Sequence, residues 1–392
     1  MYILHLGISG FPYGNAPVQR IMLTFRSLKM SGLSPLIINK QSVYRNKHVK
    51  RVNHYMGVPY IMTSCSIDRP DSYVVRNLNK LTGLIGELIF LFRKRKSIKT
   101  AIYYNASFFE LVYYRILSKL LNFKLIIQYV ELRSVVKHRQ STFTHLNDVL
   151  FDNYCFRFCD GMIVISEYLY DRALAKNRSL PVIKIPSICD FDEFENWKSD
   201  SDGKYLMYCG SITYLPVIEF VIRLFDKLKS KSIYQGSLLL AIGSGIAETD
   251  GFSRLEDSIR NCQFNQDILL RKNVLRSELI KLYQGSELLI VPLQNTLQDI
   301  AGFHHKIGEY TAARKPIIST RIGEVKNYFT DGESAILADE YSLESYTAKI
   351  QEALSDAVNV ERIGINGYHI GQEKLNYKAY SNTLRDFILE LG

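Results

Sequence analysis

Residues 301–320 read AGFHHKIGEYTAARKPIIST, and they lie between two short apolar runs, Glu287 to Pro292 (ELLIVP) upstream and Ile317 to Thr320 downstream. Runs of this length, closed by proline or turn residues, predict parallel strands buried on both faces. The stretch between them is then the helix that connects two such strands. Lys306 and Glu309 stand three apart, so a helix presents an ammonium and a carboxylate on one face. A helix start near Gly302 and Phe303 leaves backbone N–H groups free for an anion. A nucleoside diphosphate suits that set: the N–H groups and Lys306 for phosphate, Glu309 accepting from ribose hydroxyls. A surface Lys/Glu pair on an ordinary helix has the same spacing.

Outward from this stretch the same alternation runs through the chain. Strands are expected at Tyr2 to Leu6, Pro35 to Ile38, Ala101 to Tyr104, Lys124 to Tyr129, Gly161 to Ile165 and Val182 to Ile185. After a polar interval they resume at Tyr205 to Cys209, Leu238 to Ile242, Asp267 to Leu270, Leu288 to Val291, Pro316 to Ser319 and Ala335 to Leu337. Strands alternating with longer amphipathic stretches predict an α/β class. At 392 residues the chain is long enough for two cores. We expect two Rossmann-like domains facing one another across a cleft: residues 1–190, a linker at 191–203, residues 204–365, and a C-terminal helical segment at 366–392.

The segment with Lys306, Glu309, Tyr310, Ala312, Lys315 and Pro316 resembles the nucleotide-binding motif of GT-B glycosyltransferases of family 4, in which K-x-x-E-Y-x-A-x-x-K-P-I-I precedes a strand. The resemblance extends over nearly the whole chain and is strongest from residue 268 to 340. It implies a retaining transferase that moves a sugar from a nucleotide diphosphate sugar to a saccharide or lipid-linked acceptor in surface polysaccharide biosynthesis. It also implies that the departing phosphate takes the acceptor proton, that no metal or other cofactor is needed, and that the C-terminal helix crosses back to the first domain. Four positions depart from the pattern. Ala301 replaces a second glutamate, Arg314 replaces a glycine, and Ser211 and Pro216 stand where relatives carry an arginine and a lysine on the donor diphosphate. Lys306, His304 and His305 then carry more of the phosphate charge, with Arg271 and Lys272 as further candidates. A non-catalytic GT-B scaffold is the alternative these departures favour, and a nucleotide-sugar epimerase would need acidic groups that are not identifiable.

Other candidate contacts follow from position. Gly7, Gly10 and Gly14 follow the first strand and permit close backbone approach to a ligand, with Arg20 on the next helix. Glu131 sits past the end of the strand Lys124 to Tyr129, and the carboxyl ends of strands are where open α/β sheets bind ligands. It is the candidate for orienting the acceptor. Ser211 and Thr213 offer hydroxyls to phosphate, and Gly243 and Gly245 end the strand Leu238 to Ile242. Ser166 is placed to cap a helix. Asp190 and Asp192 spell D-x-D inside the expected linker, which argues against a metal site.

Composition bounds the rest. The N-terminus has no basic leader and no cleavage site, so a cytoplasmic location is expected. The six cysteines lack metal-ligand spacing and read as reduced core residues, Cys155 and Cys159 included. A net charge of +10 implies attraction to a polyanion. Nucleic acid is disfavoured, since no recognition motif or stacking platform accompanies the charge. Residues 81–96 are the alternative focus: Leu81, Leu84, Ile85, Leu88, Ile89 and Phe92 form one stripe, interrupted by Glu87 and followed by Arg93-Lys94-Arg95-Lys96. The stripe predicts either a helix packed on its sheet or one lying on an anionic membrane surface at the inner face of the plasma membrane.

Overall fold

In the computed structural model, which describes residues 2–8, 10–12, 16–41, 50–104, 107–136, 141–197, 204–244 and 249–392, two parallel sheets organise the chain. The first contains β1 (Tyr2–Ile8), β2 (Ser34–Asn39), β3 (Val52–Tyr55), β4 (Val58–Met62), β5 (Ile98–Tyr103), β6 (Lys124–Tyr129), β7 (Gly161–Val164) and β8 (Val182–Lys184). Its order is β3-β4-β2-β1-β5-β6-β7-β8, parallel throughout except for the β3/β4 pair. The second contains β9 (Tyr205–Ser211), β10 (Ser237–Gly243), β11 (Ile268–Lys272), β12 (Leu288–Val291), β13 (Ile317–Thr320) and β14 (Ile336–Ala338), in the order β11-β10-β9-β12-β13-β14. Strand order reverses between β1 and β5 and between β9 and β12, the switch points at which doubly wound sheets bind ligands. All twelve expected strands form, with ends displaced by up to three residues.

Each sheet belongs to its own compact unit, Met1–Ile188 with Tyr377–Gly392 in the first and Cys189–Asn376 in the second. The terminal helix Ser381–Leu391 buries Leu384, Phe387 and Ile388 in the first unit's core, beside Ile21, Phe25 and Ile163. Gly161 leaves room for this helix, since an added Cβ would lie 2.7 Å from a Leu391 methyl and 2.9 Å from the Phe387 ring, which would have to shift. Arg20 is not the surface residue its place on a first helical turn suggests. It is buried, and its guanidinium donates to the carbonyls of Pro186 at 2.6 Å and Ile185 at 2.8 Å.

Three other expectations change. The interval at 191–203 is not wholly a linker, because Phe191–Glu195 forms a helix that buries Phe191 and Phe194 inside the second unit. The β3/β4 hairpin is an addition, turned by Met56 and Gly57 at φ of 48° and 82°, the pair of positive angles that a two-residue hairpin needs. Cys65 is exposed, whereas the other five cysteines are buried and free. No group of metal-ligating side chains occurs among the described residues, and none of their helices is long and apolar enough to cross a membrane.

The helix Tyr73–Lys94 turns most of the stripe at residues 81–96 away from its buried side, with Leu84 and Leu88 half-buried. It buries Asn79, Gly83, Glu87 and Leu91, while Leu81, Ile85, Ile89 and Phe92 are exposed. The apolar stripe is therefore not what packs on the sheet.

In the second unit, the helix Ala357–Lys374 meets its neighbours through glycines. A Cβ on Gly364 would lie 2.8 Å from the Arg314 carbonyl oxygen and 2.9 Å from the Pro316 nitrogen, and one on Gly371 would lie 2.5 Å from Thr311. Backbone atoms cannot step aside, so overpacking costs about 1–3 kcal/mol, against a gain of about 1 kcal/mol in helix propensity. Gly364→Ala is accordingly expected to lower stability by about 1 kcal/mol in urea unfolding, the opposite sign from an exposed helical Gly→Ala change.

Candidate active site

The helix His305–Ala312 starts just beyond the carboxyl end of β12 and leads back into β13, so the fold holds its first turn at the switch-point end of the sheet. Ile307, Gly308, Glu309, Tyr310, Thr311 and Ala312 are all buried. The Tyr310 hydroxyl accepts from the Cys209 N–H at 3.0 Å, which ties this helix to β9. The helix begins at His305, two residues later than expected, after a separate short helix Leu297–Ala301 capped by Thr296.

Glu309 is 2% exposed and is the hub of the site, not half of a surface pair. One carboxylate oxygen accepts from the Arg276 guanidinium and lies 3.4 Å from His305 Nε2. The other accepts from the Tyr283 hydroxyl and the Lys306 ammonium, each at 3.2 Å. These four partners use the acceptor capacity of an ionised carboxylate. Arg276 continues outward to Glu193 at 2.8 Å, and its guanidinium lies 5.6 Å from the centre of the Phe194 ring. Burial alone would raise the Glu309 pKa, but Arg276, Lys306 and then His305 outweigh it and hold the carboxyl well below the ordinary range. For Lys306, burial opposes the charge, and Cys209 and Glu309 more than offset that, so the ammonium is held above the ordinary lysine value. Its side chain remains 31% exposed, the most open member of the trio with Glu309 and Arg276 by a small margin.

The remaining candidates in this unit divide. His304 Nε2 is 2.9 Å from the Asp299 carboxylate, so both histidines face acids within the same helical corner. Ser211 Oγ accepts from the Thr213 N–H at 3.3 Å and lies 3.0 Å from the Thr213 hydroxyl, capping the turn that follows β9. Gly243 pairs in register with Ser211 on the adjacent strand, which brings those two together at the sheet's carboxyl end. An added Cβ on Gly243 would come no nearer than 3.8 Å to another atom, so crowding does not demand glycine there. Lys272 ends β11 at the sheet edge and is paired with Glu256 at 2.5 Å. Gly14 and Gly245 lie outside the described residues. Arg314, in the usual glycine position, adopts φ of 60° and sets its guanidinium 4.3 Å from the Tyr368 ring centre. Ala301 is fully buried.

In the first unit, Glu131 follows β6 as expected and is 3.3 Å from Arg133. Tyr104 lies past the end of β5, and burial pushes its hydroxyl up to about 12 against the opposing pull of Arg20 and Arg133. Ser166 caps its helix, accepting from the Leu169 N–H at 3.2 Å. Burial also pushes the Cys159 thiol up to about 12, which removes it from thiolate chemistry near neutrality.

Sequence reasoning missed Arg276 and Glu193 and reads Tyr283 only as part of a core helix. Arg276 and Tyr283 share the helix Arg276–Gly285, which buries Ile280, Tyr283 and Gly285 and not the leucines that its pattern points to. The available signal was an arginine four residues beyond a strand's carboxyl end.

Residues 190–370 match the family described as glycosyl transferases group 1. Among solved structures, a sucrose-phosphate synthase from Thermosynechococcus elongatus superposes with a TM-score of 0.75 at 15% identity, over 100% of this chain and 98% of that one. The Anabaena protein HepE in complex with UDP-glucose gives 0.72 at 14% identity over the whole of both chains. The catalytic domain of Arabidopsis thaliana starch synthase IV, bound to ADP and acarbose, gives 0.70 at 10% identity over 100% and 99%. No curated protein matches in sequence. The likeness to the GT-B fold is thus shared along the entire chain, and the family match falls on the unit that contains Lys306 and Glu309.

Proposed function

We propose, from a chain whose residues 190–370 form a group 1 glycosyltransferase domain, that the protein is a retaining transferase of family 4 type. It moves a hexosyl or related group from a nucleotide diphosphate sugar to a saccharide or lipid-linked acceptor in surface polysaccharide biosynthesis. The supporting observation is the charge arrangement around Glu309. A buried carboxylate fixes Lys306 at the start of a helix, and the ammonium keeps enough exposure to meet a diphosphate. A positive charge fixed before the reaction stabilises the leaving diphosphate without reorganisation. The ribose hydroxyls reach Glu309 by replacing its longest contact, the 3.4 Å one to His305. His304, Ser211 and Thr213 complete the phosphate side, and backbone at Gly243, paired in register with Ser211, borders the nucleotide. Glu131, held by Arg133, orients the acceptor. The leaving phosphate takes the acceptor proton, so the reading calls for no protein base and no metal. The cytoplasm, at the inner membrane face, is where such donors meet a lipid-linked acceptor.

Incubation with a panel of UDP, GDP and ADP sugars tests this reading. It predicts slow hydrolysis of one donor, releasing sugar with the donor's anomeric configuration by NMR. A donor that binds yet is never cleaved, with or without acceptors, supports the non-catalytic scaffold. Inverted product refutes retention.

A further inference from the structure

The helix Tyr73–Lys94 is mounted by its polar side. The Tyr114 hydroxyl lies 3.0 and 3.1 Å from the two Glu87 oxygens, Asn79 accepts from the Ser66 N–H at 2.8 Å, and Thr63 donates to the Gly83 carbonyl at 2.8 Å. Gly83 and Gly86 seat the helix against backbone. A Cβ on either would lie 1.8 Å from the Lys40 carbonyl oxygen or 2.4 Å from that of Thr63. The helix is therefore fixed with its apolar residues outward, not merely lying loose.

Two further helices of the same unit also expose apolar residues, the first of them packed against Tyr73–Lys94 through Tyr114 and Glu87. Phe108–Leu121 exposes Phe109, Ile116 and Leu120, the last at 68%, and Thr142–Tyr154 exposes Leu146 and Phe143, the latter at 65%. The Phe109 and Phe143 rings stack at 5.5 Å and 5°, and the Phe108 N–H donates to Asn147 at 2.9 Å, so the two helices are adjoining.

Charge on these helices is sorted by depth. Their four acids are Glu87, Glu110, Asp148 and Asp152. Glu87, Asp148 and Asp152 are buried, and Glu110 pairs with Lys40. Lys80, Arg93, Lys94, Arg95, Lys96 and Lys119 are all exposed. Apolar and basic groups outside, with acids inside, reverse the arrangement that keeps an ordinary face in water.

We propose that this three-helix face is a monotopic docking surface for an anionic lipid bilayer, with Leu81, Ile85, Phe92, Phe109, Leu120 and Phe143 entering the headgroup boundary and Arg93 to Lys96 meeting the lipid charge. It rests on the transferase reading for its purpose, a lipid-linked acceptor, but not for its chemistry. Apolar residues insert and basic residues supply electrostatic attraction, about 1 kcal/mol for each near the surface.

The full chain is mixed with phosphatidylcholine–phosphatidylglycerol vesicles and with pure phosphatidylcholine vesicles, without any nucleotide sugar, and cosedimentation is measured. Binding to the anionic vesicles is expected. Changing Arg93, Lys94, Arg95 and Lys96 together to glutamine should weaken it by roughly two to three orders of magnitude. Phe109→Ser with Phe143→Ser should weaken it at high salt as well, where charge is screened. These side chains are exposed, so circular dichroism should show both variants folded. No anionic vesicle binding, or binding unaffected by both sets of changes, overturns the proposal. So does a wild-type dimer in sedimentation that Phe109→Ser with Phe143→Ser dissociates without vesicle binding, because a second copy would then cover the face. Failure of the transferase reading would appear in the sugar-donor panel and leave vesicle binding unchanged.

Discussion

Glu309→Ala is expected to destabilise the second unit by about 3 kcal/mol. Removing one partner of a buried ion pair typically costs about 3–5 kcal/mol, because the opposite charge is left in a poor solvent. Here the lower end applies. Arg276 would retain Glu193 at 2.8 Å, and Lys306 is already 31% exposed and able to turn toward water. The single tryptophan, Trp197, belongs to this unit, so its fluorescence in a urea titration reports the relevant transition. A loss below about 1 kcal/mol would show that the contacts around Glu309 are not an energetic hub.

The same carboxylate predicts a pH signature. Its folded pKa is depressed, so its stabilising contribution is full above its ordinary value, near pH 4.5, and is lost as pH falls through the depressed one. The stability difference between wild type and Glu309→Gln should stay constant from neutrality down to about that pH, then shrink. A difference that already shrinks as pH falls from 8 to 6 would show that the Glu309 carboxylate does not carry the effect.

The second large effect falls on rate. Lys306→Ala is expected to lower kcat with the preferred donor by about 10²–10³-fold, the loss typical of removing one preorganised group that meets developing negative charge. Stability should suffer far less than in Glu309→Ala, since Glu309 keeps Arg276 and Tyr283. The two variants therefore separate: one mainly unfolds, the other mainly stops turning over. Equal turnover by Lys306→Ala and wild type would remove this lysine from the chemistry.

The strand plan was legible because each buried parallel strand is a short apolar run with a hard stop, such as Leu288 to Val291 before Pro292. The hairpin was not, because its turn uses Met56 before Gly57, and methionine at a positive φ carries none of the usual Asn-Gly or Asp-Gly signal. Periodicity found an amphipathic stretch at 81–96, part of the helix Tyr73–Lys94, but could not say which side faces inward. That was decided by Gly83 and Gly86, whose missing side chains let the polar face approach backbone. At the site, Lys306 and Glu309 were found by their local spacing, whereas Arg276 reaches Glu309 from 33 residues away and Glu193 lies 83 residues from Arg276. Separation of that size is set by strand order, not by any local pattern. The interval around Glu193 looked like a linker because its charges dominate, yet Phe191 and Phe194 are buried enough to make it a helix of the second unit.

The central claim is that the second unit binds a nucleoside diphosphate through Lys306. Calorimetric titration of wild type and Lys306→Ala with UDP, GDP and ADP tests it most directly. The account predicts that wild type binds one of the three and that Lys306→Ala binds it at least about tenfold more weakly, as expected for a lost charge-assisted contact, with little change in its Trp197 unfolding midpoint. Failure of wild type to bind any of them, or equal affinity in both proteins, would contradict it.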